Sequence, residues 1–153
     1  MARSKSDAPV TQSLLDRLTS SVDLPSTRAA SIQMYKNGIK RDVEWLLNTR
    51  RTPCKQIEEY PLAGNSVFNY GLPDVNELGA SSTDSARVLQ IILQTLRSHE
   101  PRIHDPRVSV VRSDTLKRSI QFHVDGHILV ENSEEDISFD TMLKVITGEY
   151  EVK

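Results

Sequence analysis

Apolar residues recur at helical spacing in two stretches of the first hundred residues. In the stretch 30–48 they are separated by lysine, arginine and glutamate, and in the stretch 84–99 they form a narrower stripe. The apolar positions are Ile32, Tyr35, Ile39, Val43, Leu46 and Leu47 in the first stretch and Val88, Ile91, Ile92 and Leu96 in the second. Each pattern predicts an amphipathic helix that buries one face, and Ser82 or Thr83 is the expected N-cap of the second helix.

Beyond Pro106 the apolar residues alternate with polar ones, which is the period of half-buried β-strands. The alternating positions are Val108, Val110, Ile120, Phe122, Val124, Ile128, Val130, Ile137, Phe139, Leu143 and Val145. Polar residues at 113–114 and 132–135 predict turns, and Thr147-Gly148 precedes a last short strand over 149–152. This order of elements predicts an α+β fold, in which two main amphipathic helices are followed by a small antiparallel sheet of three to four strands.

The chain divides into a polar arm and one folded domain. Residues 1–30 are rich in serine, threonine, alanine and aspartate, which predicts a mostly disordered arm, and residues 31–153 form a single α+β domain. Within the arm, the segment 13–18 places three leucines after Ser13, a residue that caps helices well. The three are Leu14, Leu15 and Leu18. This segment predicts a short helical turn that either docks on an apolar partner or folds back on its own domain.

The ends of both predicted helices carry charged residues. Pro101 must stop the second helix because it lacks a backbone N–H and disfavours the helical conformation of Glu100. The guanidinium of Arg102, just beyond, suits a docking contact with a carboxylate better than it suits catalysis. The alternative is that both charges are simply solvated. Arg50 and Arg51 follow the first helix, where they either complement the helix dipole or contact a partner.

The stretch between the two helices, 53–82, contains too many prolines and glycines for a long regular element, yet it carries several apolar side chains. We expect an ordered loop, since loops of this length inside compact domains are uncommon unless they have a function. Tyr70 is the expected aromatic anchor of the loop, and a turn follows it at Gly71 and Pro73.

Charge and cysteine content exclude several classes of function. The 19 basic and 21 acidic residues give a formal net charge of −2, which provides no basic field to attract nucleic acid or anionic lipid. The single cysteine, Cys54, allows neither an internal disulfide nor a zinc cluster, which favours a reducing compartment. The sequence shows no signal-peptide pattern and no apolar run of membrane-span length, so a cytoplasmic protein without direct membrane insertion is expected.

Motifs of catalysis and cofactor binding are absent from the sequence. It contains no glycine-rich phosphate loop, no G-x-S-x-G elbow, no C-x-x-C and no H-E-x-x-H. His123 and His127 have the same strand parity and are expected on one solvated face, too far apart along the strand for one metal ion. We therefore expect no catalytic residues, no cofactor and no metal site.

Four segments, in the same order along the chain, resemble the TssE family. They are 13–18 (SLLDRL), 46–51 (LLNTRR), 66–74 (SVFNYGLPD) and 100–102 (EPR). This family is the type VI secretion baseplate subunit related to the small wedge protein of contractile phage tails. Two positions depart from the family pattern: His99 stands where an aromatic residue is usual, and Ile103 replaces the usual leucine.

The resemblance implies a structural role and a domain similar to the handshake domain of a sheath subunit. It implies a cytoplasmic location at the inner-membrane-docked baseplate, with the wedge subunits TssF, TssG and TssK as partners. It also implies that the protein offers a strand-rich template for the first ring of the TssB and TssC sheath. The Glu100-Pro101-Arg102 motif is the family's docking element for the helical core bundle of the wedge.

The patterns and the resemblance together define a candidate partner-binding set. Its members are Leu14, Leu15, Leu18, Arg50, Arg51, Tyr70, Glu100, Pro101 and Arg102. For the sheath, the expected strand edges are 107–112 and 149–153, which carry charges at their ends but no interior proline and so permit a strand to add. Val108, Val110, Tyr150 and Val152 are the side chains expected to pack against that strand.

A rival hypothesis of another class is a peptidoglycan hydrolase, because relatives of the family have been labelled lysozyme-like. The sequence shows no export signal that would bring it to the cell wall. Its acidic residues form no recognisable pair of the kind that glycoside hydrolysis needs. We therefore expect an assembly subunit and no enzyme activity.

Overall fold

The structure is a computed structural model, and it describes residues 8–19, 25–52, 54, 59–64, 66–73, 85–114, 119–130, 133–144 and 149–152. The helices precede the strands along the chain. The helices are α1 (Leu14–Thr19), α2 (Arg28–Asn48), α3 (Pro61–Gly64) and α4 (Ser85–His99), with a 3₁₀ turn at Val67–Asn69. The strands are β1 (Ile103–Asp114), β2 (Ser119–Val130), β3 (Ser133–Lys144) and β4 (Glu149–Val152).

The strands form one antiparallel sheet in the order β1-β2-β3-β4. This architecture confirms the predicted α+β fold with a small antiparallel sheet. The two outer strands are β1 and β4, the two strands that the sequence predicts as edges.

Helix α2 follows its predicted range closely. The side chain of Thr27 accepts a hydrogen bond from the Ala30 N–H at 3.3 Å, which caps the helix start two residues before the predicted one. Helix α4 ends at His99, and the Glu100 N–H still donates to Leu96 O at 2.8 Å before Pro101 turns the chain into β1. The N-cap expected for α4 at Ser82 or Thr83 lies outside the described residues.

One face of the sheet packs against α2 and α4 and forms the core. On β2 every second residue is buried, from Ile120 through Val130, as its period of two predicts. The ladder between β2 and β3 is continuous from Ser119↔Lys144 to Val130↔Ser133. The core residues are Ile39, Val43, Leu46, Leu47, Leu72, Ile92, Leu96, Ile103, Ile120, Phe122, Val124, Ile128, Val130, Ile137, Phe139, Leu143 and Tyr150.

The predicted turns are wrong at 113–114 and at 133–135, where the strands are longer than the apolar pattern indicates, while Asn132 of the second predicted turn lies outside the described residues. Residues 113–114 pair with Ile120 and Ser119 at the end of β1. Residues 133–135 pair with residues 128–130 at the start of β3. Polar residues in these positions resemble turn sequences, but whether they join a strand depends on the neighbouring strand, which the local sequence does not show. Thr147 and Gly148 lie outside the described residues.

Strand β1 also begins earlier than the predicted edge 107–112. It starts at Ile103 and therefore contains Pro106, so the edge as a whole has an interior proline. The ladder to β2 is shifted between His104 and Arg107, and Asp105 takes a positive φ of 47° at that point. A bulge of this kind accommodates a proline, which cannot donate to the ladder.

None of the helices in the described part of the chain is both long enough and apolar enough to cross a membrane.

Candidate docking site

The Glu100-Pro101-Arg102 turn is built around an ion pair within the chain. The Glu100 side chain is only 6% exposed, and Arg102 holds both of its oxygens, with Nε 2.6 Å from Oε1 and Nη2 2.5 Å from Oε2. The same Nη2 donates to Oδ2 of Asp42 on α2 at 2.8 Å. The hydrogen bond to Glu100, followed by the one to Asp42, raises the pKa of Arg102. Arg102 therefore neutralises a buried carboxylate and joins the end of α4 to α2.

The ion pairs continue from Asp42 to the N-terminal segment. Oδ1 of Asp42 accepts from Nε and Nη2 of Arg41 at 3.1 and 2.7 Å. Nη1 of Arg41 donates to Oδ1 of Asp16 on α1, and Oδ2 of Asp16 accepts from the Ser13 hydroxyl at 2.6 Å. The hydrogen bond from Ser13, and then the contact with Arg41, lower the pKa of the Asp16 carboxyl. We call this alternating series of five charges, Asp16, Arg41, Asp42, Arg102 and Glu100, the ion-pair chain.

The ion-pair chain contains three residues that the candidate set omits. Asp16 could have been found, since it is the lone acidic residue in a run of leucines. Arg41 and Asp42 carry no such signal, because charged neighbours on a helix are usually solvated. Asp42 and Arg102 are 60 positions apart, so only the packing of α4 against α2 reveals their contact.

Helix α1 shows its apolar side chains to solvent. Leu14, Leu15 and Leu18, which we call the leucine triad, are 70%, 47% and 76% exposed, and none of the residues in α1 is buried. Its acidic residue Asp16 faces α2 instead, while Arg17 and Thr19 are exposed. This is the reverse of an amphipathic helix that packs on its own core.

The polypeptide before α1 also lies on α2, within the segment that the sequence predicts as a mostly disordered arm. The Val10 N–H donates to the Ser31 hydroxyl at 2.8 Å, and the buried side chain of Gln12 donates to Ser31 O at 2.9 Å. The backbone of residues 8–19 thus folds back on the domain, while the leucine triad stays uncovered. The sequence left open whether this segment docks on an apolar partner or folds back on its own domain. The two alternatives are compatible, because one side of α1 contacts α2 and the opposite side exposes the leucines.

Tyr70 lies beside the ion-pair chain. Its ring meets that of His99 edge to face, with centroids 5.5 Å apart, so the histidine that departs from the family pattern still makes an aromatic contact. Burial raises the pKa of Tyr70, and the charges of Asp42 and Glu100 act in the same direction. Tyr70 is therefore placed next to the Glu100-Pro101-Arg102 turn.

Gly71 makes the placement of Tyr70 possible. It has a φ of 102°, and a Cβ at this position would lie 2.3 Å from Thr49 O. The backbone here is tied to the end of α2, since the Leu72 N–H donates to Thr49 O at 2.8 Å and the Arg51 N–H donates to Leu72 O at 2.9 Å.

Arg50 and Arg51 are held by that connection and take no part in the ion-pair chain. Both lie beyond Thr49, the C-cap of α2, and Arg50 forms a parallel bridge with Leu72. Their side chains are exposed. Of the candidate set, the structure therefore connects Tyr70, the Glu100-Pro101-Arg102 turn and, through Asp16, the leucine triad. Arg50 and Arg51 lie outside this arrangement.

The predicted sheet edge at 149–153 is partly blocked. The side-chain amide of Asn48 donates to Tyr150 O and accepts from the Tyr150 N–H, both at 2.8 Å. The Tyr150 ring is in the core rather than on the edge, and its burial raises its pKa. The expectation that the backbone and ring of Tyr150 are offered to an added strand is therefore wrong. On β1, by contrast, Val110 and Val111 are both exposed next to a ladder shift between Val110 and Arg112.

The outer face of the sheet carries the two histidines. His123 lies between two carboxylates, with Nδ1 2.7 Å from Asp140 and Nε2 2.9 Å from Asp125. Nδ1 of His127 is 2.9 Å from Asp136. Within the described ranges, no group of three or more His, Cys, Asp or Glu side chains is placed to hold a metal ion.

A second exposed apolar region lies on the loop between α2 and α4. Its side chains are Tyr60, Leu62, Val67 and Phe68. The candidate set from the sequence contains Tyr70 of this loop but none of these four, because an apolar residue in a loop gives no local sign of whether it is buried.

Comparison with known protein families gives a match over most of the described domain. The family model described as baseplate wedge protein gp25 matches residues 33–133, which is about two thirds of the chain. The matched range runs from α2 into the start of β3 and includes the Glu100-Pro101-Arg102 turn, whereas α1 precedes it. Neither the curated proteins nor the solved structures include a significant match.

Proposed function

This chain belongs to the baseplate wedge protein gp25 family, which includes TssE, and on that premise we propose that it is the wedge subunit of a type VI secretion baseplate. Membership of the family gives the chain a structural role in the baseplate of a contractile tail. The more specific proposal is that it docks on the TssF and TssG subunits, beside TssK, at a baseplate on the cytoplasmic side of the inner membrane.

The observation that carries the docking proposal is the leucine triad. In the free chain, α1 turns its one acidic side chain towards α2 and exposes three leucines to water. Exposed leucine side chains do not stabilise the free chain, because contact of apolar surface with water is unfavourable. Leu14 and Leu18 would each contribute on the order of 1.5–3 kcal/mol when a partner covers them, and Leu15, which is already about half covered, would contribute less. An apolar groove or helical bundle on the partner is the surface that such a cluster fits.

Arg102 supplies a polar contact to the same partner. Within the described part of the chain its Nε and Nη2 are used by Glu100 and Asp42, while Nη1 makes no hydrogen bond. The side chain is 29% exposed. Arg102 can thus donate to a carboxylate or carbonyl of the wedge core, whereas both oxygens of Glu100 are already occupied. Within the motif, Glu100 then orients Arg102, and Arg102 contacts the partner.

Co-purification with TssF and TssG tests the docking proposal. We expect the variant Leu14→Ser with Leu18→Ser to bind the two subunits at least about thirtyfold more weakly, as for the loss of a binding hot spot of about 2 kcal/mol. The matched control is Leu62→Ser, because Leu62 is a 91% exposed leucine on another element. Equal binding by the double variant and the wild type would refute the role of the leucine triad.

For the sheath, we propose that TssB or TssC adds a strand at β1. The β1 strand has a strand neighbour only on its β2 side within the described sheet, whereas β4 is capped by Asn48 at Tyr150. Lone edges of this kind accept strands from other chains. The exposed side chains of Val110 and Val111 would pack against the added strand.

Proline substitutions along 108–111 test the β1 proposal. Amide exchange of the free protein first identifies which N–H groups point away from β2, since these exchange fastest. Proline at such a position removes an outward donor without breaking the ladder to β2, so it should block assembly of fluorescent sheaths while binding to TssF and TssG persists. Normal sheaths with a folded variant would exclude β1 as the template.

A structural role rather than cell-wall hydrolysis is also part of the proposal. The carboxylates of Glu100 and Asp42 both accept hydrogen bonds from the guanidinium of Arg102, so an ion pair within the chain accounts for this pair of acids without a role in hydrolysis. A dye-release assay on purified peptidoglycan should show no activity above buffer. Release that depends on an acidic residue would favour the hydrolase instead.

A further inference from the structure

Helix α1 packs on α2 at a position where α2 has no side chain, Gly38. Gly38 is a buried glycine inside the 21-residue helix α2, where glycine is less favourable than alanine. A Cβ at this position would lie 3.1 Å from Oδ2 of Asp16. The absence of a side chain at Gly38 therefore lets the Asp16 carboxylate approach the helix closely.

The same face of α2 binds the carboxylate electrostatically. Arg41, three residues after Gly38, donates to Asp16 and stacks on the ring of Trp45, with its guanidinium carbon 4.7 Å from the ring centroid. Three nitrogens of Arg41 are engaged, with Asp16 on one side and Asp42 on the other. The guanidinium is thus fixed between α1 and the carboxylate that also holds Arg102.

From these contacts we infer that Asp16 is a positioning residue, which locks α1 on α2 so that the leucine triad and Arg102 form one composite docking surface. This inference rests on the proposed function for the identity of the partner, but the locking itself concerns the free chain. The leucines and Arg102 lie on elements that are far apart in the sequence, and the ion-pair chain is the continuous connection between them. A partner would then meet both contacts already in place, without the entropic cost of ordering α1 on binding.

Hydrogen exchange of the free protein tests the locking directly. In the variant Asp16→Asn, we expect the amides of 14–19 to lose protection by at least about tenfold, because the charge that Arg41 binds is gone. Asp16→Glu keeps the charge and should restore part of the protection. Emission of Trp45, the one tryptophan in the sequence, should shift in Asp16→Asn as its stacked Arg41 is released.

A second variant tests the close contact between Asp16 and Gly38 without removing a charge. Gly38→Leu places a side chain where the Asp16 carboxylate lies, so it should release α1 while the Arg41–Asp42–Arg102 contacts persist. Both Asp16→Asn and Gly38→Leu should weaken binding of the TssF–TssG complex by about tenfold or more, with the leucine triad intact. Their thermal transitions should stay close to that of the wild type, which separates release of α1 from unfolding.

The two proposals fail in different ways. If Asp16→Asn and Gly38→Leu leave both the exchange of α1 and partner binding unchanged, the positioning role of Asp16 is overturned, whatever the leucines do. If these variants release α1 but bind the partner normally, the composite surface is overturned. If Leu14→Ser with Leu18→Ser binds normally, the docking function of the triad fails, and the exchange results still decide whether Asp16 locks α1.

Discussion

The side-chain amide of Asn48, at the end of α2, pairs with the backbone of Tyr150 on β4 as a neighbouring strand would. Its oxygen accepts from the Tyr150 N–H and its nitrogen donates to Tyr150 O. One side chain therefore closes part of a sheet edge and fastens the last described strand to the helix layer. This contact also distinguishes the two edges of the sheet, because β1 has no such cap among the described residues.

Replacing Asn48 with alanine should destabilise the fold. The change removes two hydrogen bonds to partly buried backbone groups, and each is worth about 0.5–1.5 kcal/mol. We expect a loss of about 1–3 kcal/mol in urea unfolding, together with faster exchange of the Tyr150 amide. Asn37→Ala is a suitable control, since Asn37 on the same helix pairs, among the described residues, only with the exposed Gln33. Equal stability of the two variants would show that the cap is not needed.

Replacing Gly71 with alanine should be costly. The backbone conformation at φ 102° is strained for any residue with a side chain, and the new Cβ would collide with Thr49 O. We expect a loss of about 2 kcal/mol or more in chemical unfolding, as the link between Leu72 and the end of α2 is disrupted.

Gly64→Ala provides the matched control for Gly71. None of the described residues offers a contact within 4 Å to a Cβ at Gly64, so this change should have little effect. A similar stability for both alanine variants would contradict the strained geometry at Gly71.

Replacing Arg102 with alanine should affect the fold as well as partner binding. It leaves the buried carboxylate of Glu100 without a partner, for which losses of about 3–5 kcal/mol are typical; we expect the lower part of that range because Arg102 is partly exposed. The free energy of urea unfolding measures the effect.

Removing both members of the Glu100–Arg102 pair separates stability from binding. Glu100→Gln with Arg102→Ala should recover part of the stability, because no charge is then left buried. The double variant should still bind TssF and TssG poorly, since the Arg102 donor is missing. Recovery of binding along with stability would refute a direct contact by Arg102.

His123 should make the outer face of the sheet sensitive to pH. Its hydrogen bond to Asp140, assisted by the charge of Asp125, raises the pKa of His123 above its ordinary 6.5. Because the pKa is higher in the folded protein, protonated His123 stabilises the fold fully below pH 6.5, and the contribution disappears as the pH rises through the folded-state pKa.

NMR titration of the imidazole checks the His123 prediction. In Asp140→Asn the pKa of His123 should fall back towards 6.5, and Asp125→Asn should lower it less. A wild-type pKa at or below 6.5 would contradict the contacts seen on β2 and β3.

The features that the sequence predicts correctly depend mostly on residues that are close to each other in the chain. Helix α4 ends where Pro101 removes a donor, α2 follows its apolar stripe, and β2 buries alternate residues because successive side chains point to opposite faces. The helical turn after Ser13 likewise depends on residues within one turn of each other, since the Ser13 hydroxyl accepts from the Asp16 N–H. These features need no knowledge of the rest of the chain.

The sequence by itself thus determined the α+β order of elements, the helix stop at Pro101 and the leucine run of α1, since each depends on neighbours in the chain. Only the tertiary structure decided which groups those elements bring together. Arg102 meets Asp42 from 60 positions away and Asn48 meets Tyr150 from 102 positions away, because two helices and a sheet pack in one arrangement. The sequence around a charged or amide side chain does not indicate which group it will pair with. The packing of the apolar core therefore determines which of these groups come within hydrogen-bonding distance.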